Sequence, residues 1–196
     1  TLGERRMKAL WLEKQGKIDE AADNYQRILK EYPDDKAALA KVAWIDMERG
    51  NYTEAADHYR RLCLLKPDDV AYQIRWGICL LWTNKSDEGL QKLYELDFRY
   101  PDNTDVIRAL AWGLLLQGKA KKAEETYDRL LSSGQDESQD WLNAAYSKWF
   151  QGKVSDAVIL FKNYKAKENH DIRKAFENDS QLFLIYGVTS CDIHIM

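Results

Sequence analysis

An all-α array of stacked helical hairpins is the fold class this sequence predicts, and three observations predict it. A segment recurs: residues 16–35 (GKIDEAADNYQRILKEYPDD) return at 50–69 (GNYTEAADHYRRLCLLKPDD) and more loosely at 84–103 (NKSDEGLQKLYELDFRYPDN). The pattern fades through 118–137 (GKAKKAEETYDRLLSSGQDE) and is last visible from Gly152. The protein's three prolines, Pro33, Pro67 and Pro101, stand 34 residues apart, one in each of the first three copies. Each copy holds two helical stretches divided by a turn. A fixed period of that size means units that bury their apolar faces only by stacking on one another.

The first helices are expected at 4–15, 36–49, 70–83, 104–117 and 138–151, and the second at 19–32, 53–66, 87–100, 121–132 and 155–167. Joins of two to five residues force each pair antiparallel. Gly16, Gly50, Gly118 and Gly152 stand where the first helix must end on a left-handed residue, and Asn84 takes that place in the third copy. Asp19, Thr53, Asp87 and Ser155 are expected to cap the second helices, a duty Lys121 cannot perform. Each Pro stops a helix, and the Asp-Asp or Asp-Asn after it supplies the next cap. The fourth copy has Ser132, Ser133 and Gly134 instead, a looser turn.

Packing keeps the same period. Ala21, Ala55, Gly89, Ala123 and Ala157 are small at one shared place, so two backbones can approach there. One helical turn on, Tyr25, Tyr59, Leu93, Tyr127 and Phe161 fill the adjoining space. A second small column, Ala9, Ala43, Gly77, Ala111 and Ala145, runs through the first helices. Those helices are apolar on more than one face: residues 107–116 (IRALAWGLLL) carry a single charge. One apolar face packs between neighbouring helices; the other either packs on its counterparts or meets a partner.

The period, the small residue in each first helix, the Gly turn, the Ala-x3-aromatic pair and the closing Pro together resemble the tetratricopeptide repeat. The match covers about residues 2–169, as five copies over 1–170: 2–35, 36–69, 70–103, 104–137 and 138–170. Two departures occur: an early first-helix aromatic is present only as Trp141, and the last two copies lack the Pro. The resemblance implies a right-handed superhelix whose concave face is lined by first helices, and a non-catalytic module that binds an apolar peptide or helix of a protein partner. On that geometry the groove is lined by Trp44, Met47, Ile78, Leu81, Arg108, Trp112, Leu115, Tyr146 and Trp149. Arg6 and Arg108 stand where some family members hold a partner's terminal carboxylate, but Leu10 and Trp112 replace the asparagine that such a clamp requires. The competing expectation is a scaffold or oligomerisation arm of a larger protein, including a homodimer, with the groove filled internally.

Residues 171–196 leave the pattern, with helices expected at 171–178, 180–186 and 189–196. Leu182, Phe183, Ile185, Tyr186 and Val188 are too apolar for a solvated tail. They either cover the open end of the fifth repeat as a cap, fold back into the groove, or meet another chain.

Composition narrows the function further. A net charge of −3 argues against nucleic acid, whose affinity comes from neutralised phosphates. No apolar run is long enough to span a bilayer. Cys63, Cys79 and Cys191 are odd in number and lack ligand spacing; they read as free thiols and point to a reducing, cytoplasmic setting. His58, His170 and His194 are scattered, no nucleophile or phosphate-cradle motif occurs, and no cofactor or metal is implied. Because the chain opens on Thr1 rather than Met, it is expected to be a processed form or a fragment.

Overall fold

The computed structural model describes residues 1–169 and 171–189, with the side chain of Glu168 also left aside. Those residues form twelve α-helices in the order α1 (Leu2–Lys14), α2 (Ile18–Glu31), α3 (Lys36–Glu48), α4 (Tyr52–Leu65), α5 (Val70–Leu81), α6 (Ser86–Arg99), α7 (Thr104–Leu116), α8 (Ala120–Ser132), α9 (Ser138–Trp149), α10 (Val154–Glu168), α11 (Ile172–Asn178) and α12 (Ser180–Ile185). Cys191, His170, His194 and all of the expected helix at 189–196 except Thr189 lie outside the described residues. The chain divides into two compact units, Thr1–Lys92 and Leu93–Met196, with the division inside α6.

Four hairpin turns are built alike. Gly16, Gly50, Gly118 and Gly152 all have φ between 74° and 78°. In the first, the Gly16 N–H donates to the Glu13 carbonyl and the Lys17 N–H to that of Leu12, so two carbonyls that α1 leaves open are satisfied. Asn51, Lys119 and Lys153 make the same bond to Asp46, Leu114 and Lys148. The residue after each glycine therefore closes one helix and opens the next.

That double use corrects the expected caps. The second helices begin at Ile18, Tyr52, Ala120 and Val154, and the capping residues are Lys17, Asn51, Lys119 and Lys153, with no side-chain cap bond. Asp19, Thr53 and Ser155 stand inside the first turn. There the Asp19 carboxylate still complements the helix dipole. Lys121 likewise falls inside α8, where a cap is not needed. Asp87 is inside the first turn of α6.

The third hairpin differs again. Asn84 does not adopt the left-handed conformation; among the described non-glycine residues only Asn169 does. The Thr83 hydroxyl instead donates to the Leu80 carbonyl at 2.8 Å and accepts from the Lys85 N–H at 3.1 Å. A side chain does what a left-handed backbone does elsewhere.

First-helix starts follow the expected chemistry. Asp35 accepts from the Ala38 N–H, Asp69 from Tyr72, and Asn103 from Asp105 and Val106. The prolines also serve as acceptors: Arg61 donates to the Pro33 carbonyl at 2.6 Å and Arg129 to that of Pro101 at 3.1 Å. Since Arg61 and Arg129 occupy equivalent places two periods apart, each anchors its own hairpin to the turn before it.

The core is the set of period-34 columns. In unit 1, Ala9, Leu12, Ala21, Tyr25, Ile28, Val42 and Ile45 form one cluster, and Leu39, Ala43, Ala55, Tyr59, Leu62 and Cys79 form the next. Gly89 marks the closest approach: a Cβ there would lie 2.8 Å from the Gly77 carbonyl oxygen and 2.9 Å from the Leu81 nitrogen. Two small residues thus let α6 ride on the backbone of α5. In unit 2, Leu93, Leu110, Ala123, Tyr127, Leu130 and Ala157 are buried in the same columns.

Glu124 ties α8 to the following hairpin. It accepts from Lys148 and Lys153 at 2.8 Å and from the Gln151 amide at 2.5 Å. Burial alone would raise its pKa, but these three donors outweigh burial and pull it from 4.5 to about 2. A carboxyl whose folded pKa lies below its unfolded value adds stability that is complete above the unfolded value and lost as pH falls toward the folded one. Glu124→Gln should therefore lower the melting temperature at pH 7, by an amount equivalent to about 2 kcal/mol. The gap between variant and wild type should narrow below about pH 4.5 and close near pH 2, which melting curves across that window measure directly.

Candidate partner-binding face

In unit 1 the first helices α1, α3 and α5 present Leu10, Trp44 and Ile78 at equivalent places, one period apart, and all three are half-buried. Trp44 packs one side against the cluster of α1, α2 and α3, and Met47 packs against the cluster around Tyr59. The remainder of each side chain meets solvent. Leu81, expected to line the groove, is buried, as is Ile74. At its edge, Glu13 accepts from Lys41 at 2.6 Å and from the Tyr25 hydroxyl at 3.0 Å, so the acidic group there is already paired.

Unit 2 treats the same register differently. Trp112 is half-buried, but Leu115, Tyr146 and Trp149 are buried. What covers the latter two is a cluster of rings. Phe183 of α12 lies 5.4 Å from the Tyr146 ring and 5.5 Å from Trp149, nearly edge-on to the first. Phe176 of α11 lies 5.6 Å from Trp149, and Phe161 of α10 lies 6.0 Å from it. Edge-to-face pairs of this kind add about 0.5–1.5 kcal/mol each beyond area burial.

Two polar bonds fix the arrangement. The Tyr186 ring stacks on Phe150 at 4.2 Å, and its hydroxyl donates to the Leu115 carbonyl at 2.6 Å. The Tyr146 hydroxyl donates to the Asp179 carboxylate at 2.6 Å. Burial raises the Asp179 pKa, and the Tyr146 bond offsets this only in part. The C-terminal segment therefore packs on the fifth hairpin and also reaches back to the end of α7. The sequence identified Phe183 and Tyr186 as too apolar to be solvated; it did not single out Phe150 or Phe176. Aromatics at 146 and 149 on α9 and at 150, its C-cap, were the available signal for Phe150.

Arg108 is committed to the fold. Its guanidinium donates to both Asp140 carboxylate oxygens from Nε, at 2.9 and 3.1 Å, and again from Nη2 at 3.0 Å. Nη1 reaches Asp105 at 2.9 Å, and Nη2 also donates to the Gln135 carbonyl at 3.2 Å. Burial depresses its pKa, and the Asp140 pairing more than restores it. Arg6, three repeats earlier in the first helix of unit 1, pairs through one guanidinium nitrogen with Asp35. Both arginines hold a carboxylate at the start of the following first helix, which leaves neither free to hold a partner's carboxylate.

No group of three metal-ligating side chains occurs among the described residues, and none of their helices is long and apolar enough to cross a membrane. Hairpins stacked through small and aromatic columns define the class: an all-α helical-repeat protein.

Residues 6–71 match the profile described as tetratricopeptide repeat. Three solved structures share the fold. MamA from Desulfovibrio magneticus is 15% identical, with a TM-score of 0.72 over 86% of this chain and 95% of that one. A thermophilic tetratricopeptide-repeat protein of Thermus thermophilus is 17% identical, with a TM-score of 0.68 over 95% and 97%. A tetratricopeptide-repeat protein of Parabacteroides merdae is 16% identical, with a TM-score of 0.70 over 95% of this chain and 71% of that one. No curated protein matches at a significant level. Residues 6–71 thus carry the tetratricopeptide-repeat pattern, and most of the chain shares the fold of solved tetratricopeptide-repeat proteins.

Proposed function

We propose that the protein is a non-catalytic interaction module that seats an apolar peptide or helix of a protein partner on the first-helix face of unit 1. One observation carries the reading: Trp44, Met47 and Ile78 keep solvent-facing surface, whereas among their counterparts in unit 2 Leu115, Tyr146 and Trp149 are covered and Trp112 alone is half-buried. Proteins of this repeat family generally mediate protein–protein contact, and an aromatic anchor flanked by aliphatic side chains is the composition that hot spots favour.

A second reading is favoured by the C-terminal segment. Phe183 and Tyr186 occupy the unit 2 face as a partner's side chains would, which suits a scaffold or oligomerisation arm with that part of the groove filled internally.

The test is selection from a displayed library of amphipathic helical peptides, followed by titration of the selected peptides. Trp44→Ala should weaken binding about 30-fold or more, the equivalent of about 2 kcal/mol. Trp112→Ala serves as the control in the other unit. Peptides whose affinity ignores Trp44 and Ile78 would sink the first reading. Failure of the library to yield any binder would favour the second.

A further inference from the structure

Polar groups in unit 1 form a set that one hairpin completes and the next leaves open. In the first, the Glu13 carboxylate accepts from the Tyr25 hydroxyl at 3.0 Å through one oxygen and from the Lys41 ammonium at 2.6 Å through the other. One period on, the same three places hold Met47, Tyr59 and Arg75. The hydroxyl and the cation are kept, but a thioether stands where the carboxylate was. Met47 packs against the cluster that contains Tyr59.

The two kept groups lack the anion around which the first set closes. Tyr59 is fully buried, and its hydroxyl has no hydrogen-bond partner. Arg75 is exposed and forms no ion pair among the described residues. Burial pushes the Tyr59 hydroxyl up to about 12, and the Arg75 guanidinium beside it opposes that shift, so the two groups are neighbours. Later sets differ. Leu81, Leu93 and Ala109 remove every polar group, and Tyr127, also unpaired, has Leu115 and Asn143 at the other two places, which carry no charge. The open set also abuts the apolar face: Met47 follows Trp44 by one turn of α3, and Arg75 precedes Ile78 by one turn of α5. Met47 is half-buried, and its unbranched side chain is free to turn aside.

We infer that Tyr59 and Arg75 form a subsite for a carboxylate of the partner, an aspartate or glutamate side chain that takes the place Glu13 takes in the first hairpin. One of its oxygens accepts from the Tyr59 hydroxyl and the other from the Arg75 guanidinium. This rests on the reading of the face as a peptide site and adds the partner's chemistry. The ligand is an apolar helix with an acidic residue three or four positions from its anchor, the spacing of one helical turn.

Two matched pools of displayed amphipathic helices test it, one with Glu and one with Gln placed one turn from the apolar anchor. Binders that need Trp44 should hold the protein about tenfold or more tighter in the Glu form than in the Gln form, the usual worth of a hydrogen bond to a charged group. Arg75→Gln should erase that preference without weakening the Gln form. Tyr59→Phe should reduce the preference and leave the free protein as stable as before or more so, because it deletes a buried hydroxyl that nothing pairs. Met47→Glu supplies the carboxylate from the chain itself, so it should abolish the preference and couple to Arg75 in a double-mutant cycle followed by urea denaturation. Binders that need Trp44 but ignore the Glu would overturn the inference and leave the peptide site standing. A preference that survives Arg75→Gln, or a marked loss of stability in Tyr59→Phe, would do the same. No binder from either pool would overturn both.

Discussion

Trp149→Ala should lower the stability of the protein by about 3–5 kcal/mol, the usual cost of removing a large buried aromatic. The indole stacks beside Phe150 at 5.8 Å and meets Phe161, Phe176 and Phe183 with ring centroids no more than 6.0 Å away, so its loss opens a cavity bounded by α9, α10, α11 and α12. Little can relax into that space, because Phe161, Phe176 and Phe183 also brace one another at 5.4 to 5.6 Å. Trp44→Ala should cost clearly less, since that ring has core on one side only. Urea denaturation of the two variants beside wild type makes the comparison. A loss below about 1 kcal/mol at Trp149 is what surface substitutions show, and would mean that α12 does not stay docked on α9.

The difference between those two tryptophans shows where the sequence could be read and where it could not. Anything tied to the period was legible: Pro33 and Pro101 as turn markers, Asp35, Asp69 and Asn103 as caps, and the small column of Ala21, Ala55, Ala123 and Ala157 as the buried seam. The second-helix caps were misplaced because the residue after each glycine serves two helices at once, a sharing that side-chain preferences do not record. Asn84 was misread because Thr83 closes the turn from the neighbouring position. The docking of Tyr186 on the Leu115 carbonyl spans 71 residues and joins a tail to an array it does not repeat, so no periodicity announces it. Trp44 corresponds to Tyr146 on α9 and Trp149 to Met47; the rings that cover Tyr146 and Trp149 come in part from a segment that lies outside the pattern.

Arg108 brings the same distinction to a charged group. Arg108→Ala should cost about 3–5 kcal/mol, because it leaves the Asp140 carboxylate buried without its bidentate partner. Asp140 is 1% exposed, and its carboxylate also accepts from the Glu137 N–H at 2.8 Å. Water cannot replace the guanidinium there without opening the junction between α7 and α9. In an Asp140→Asn background no buried charge remains to be stranded, so the same Arg108→Ala change should cost much less. The cycle formed by the four proteins should give a coupling of about 2 kcal/mol or more. A groove ligand would behave otherwise: its removal would leave the denaturation midpoint unmoved and spare the coupling, because an arginine that waits for a partner has no carboxylate of its own to satisfy.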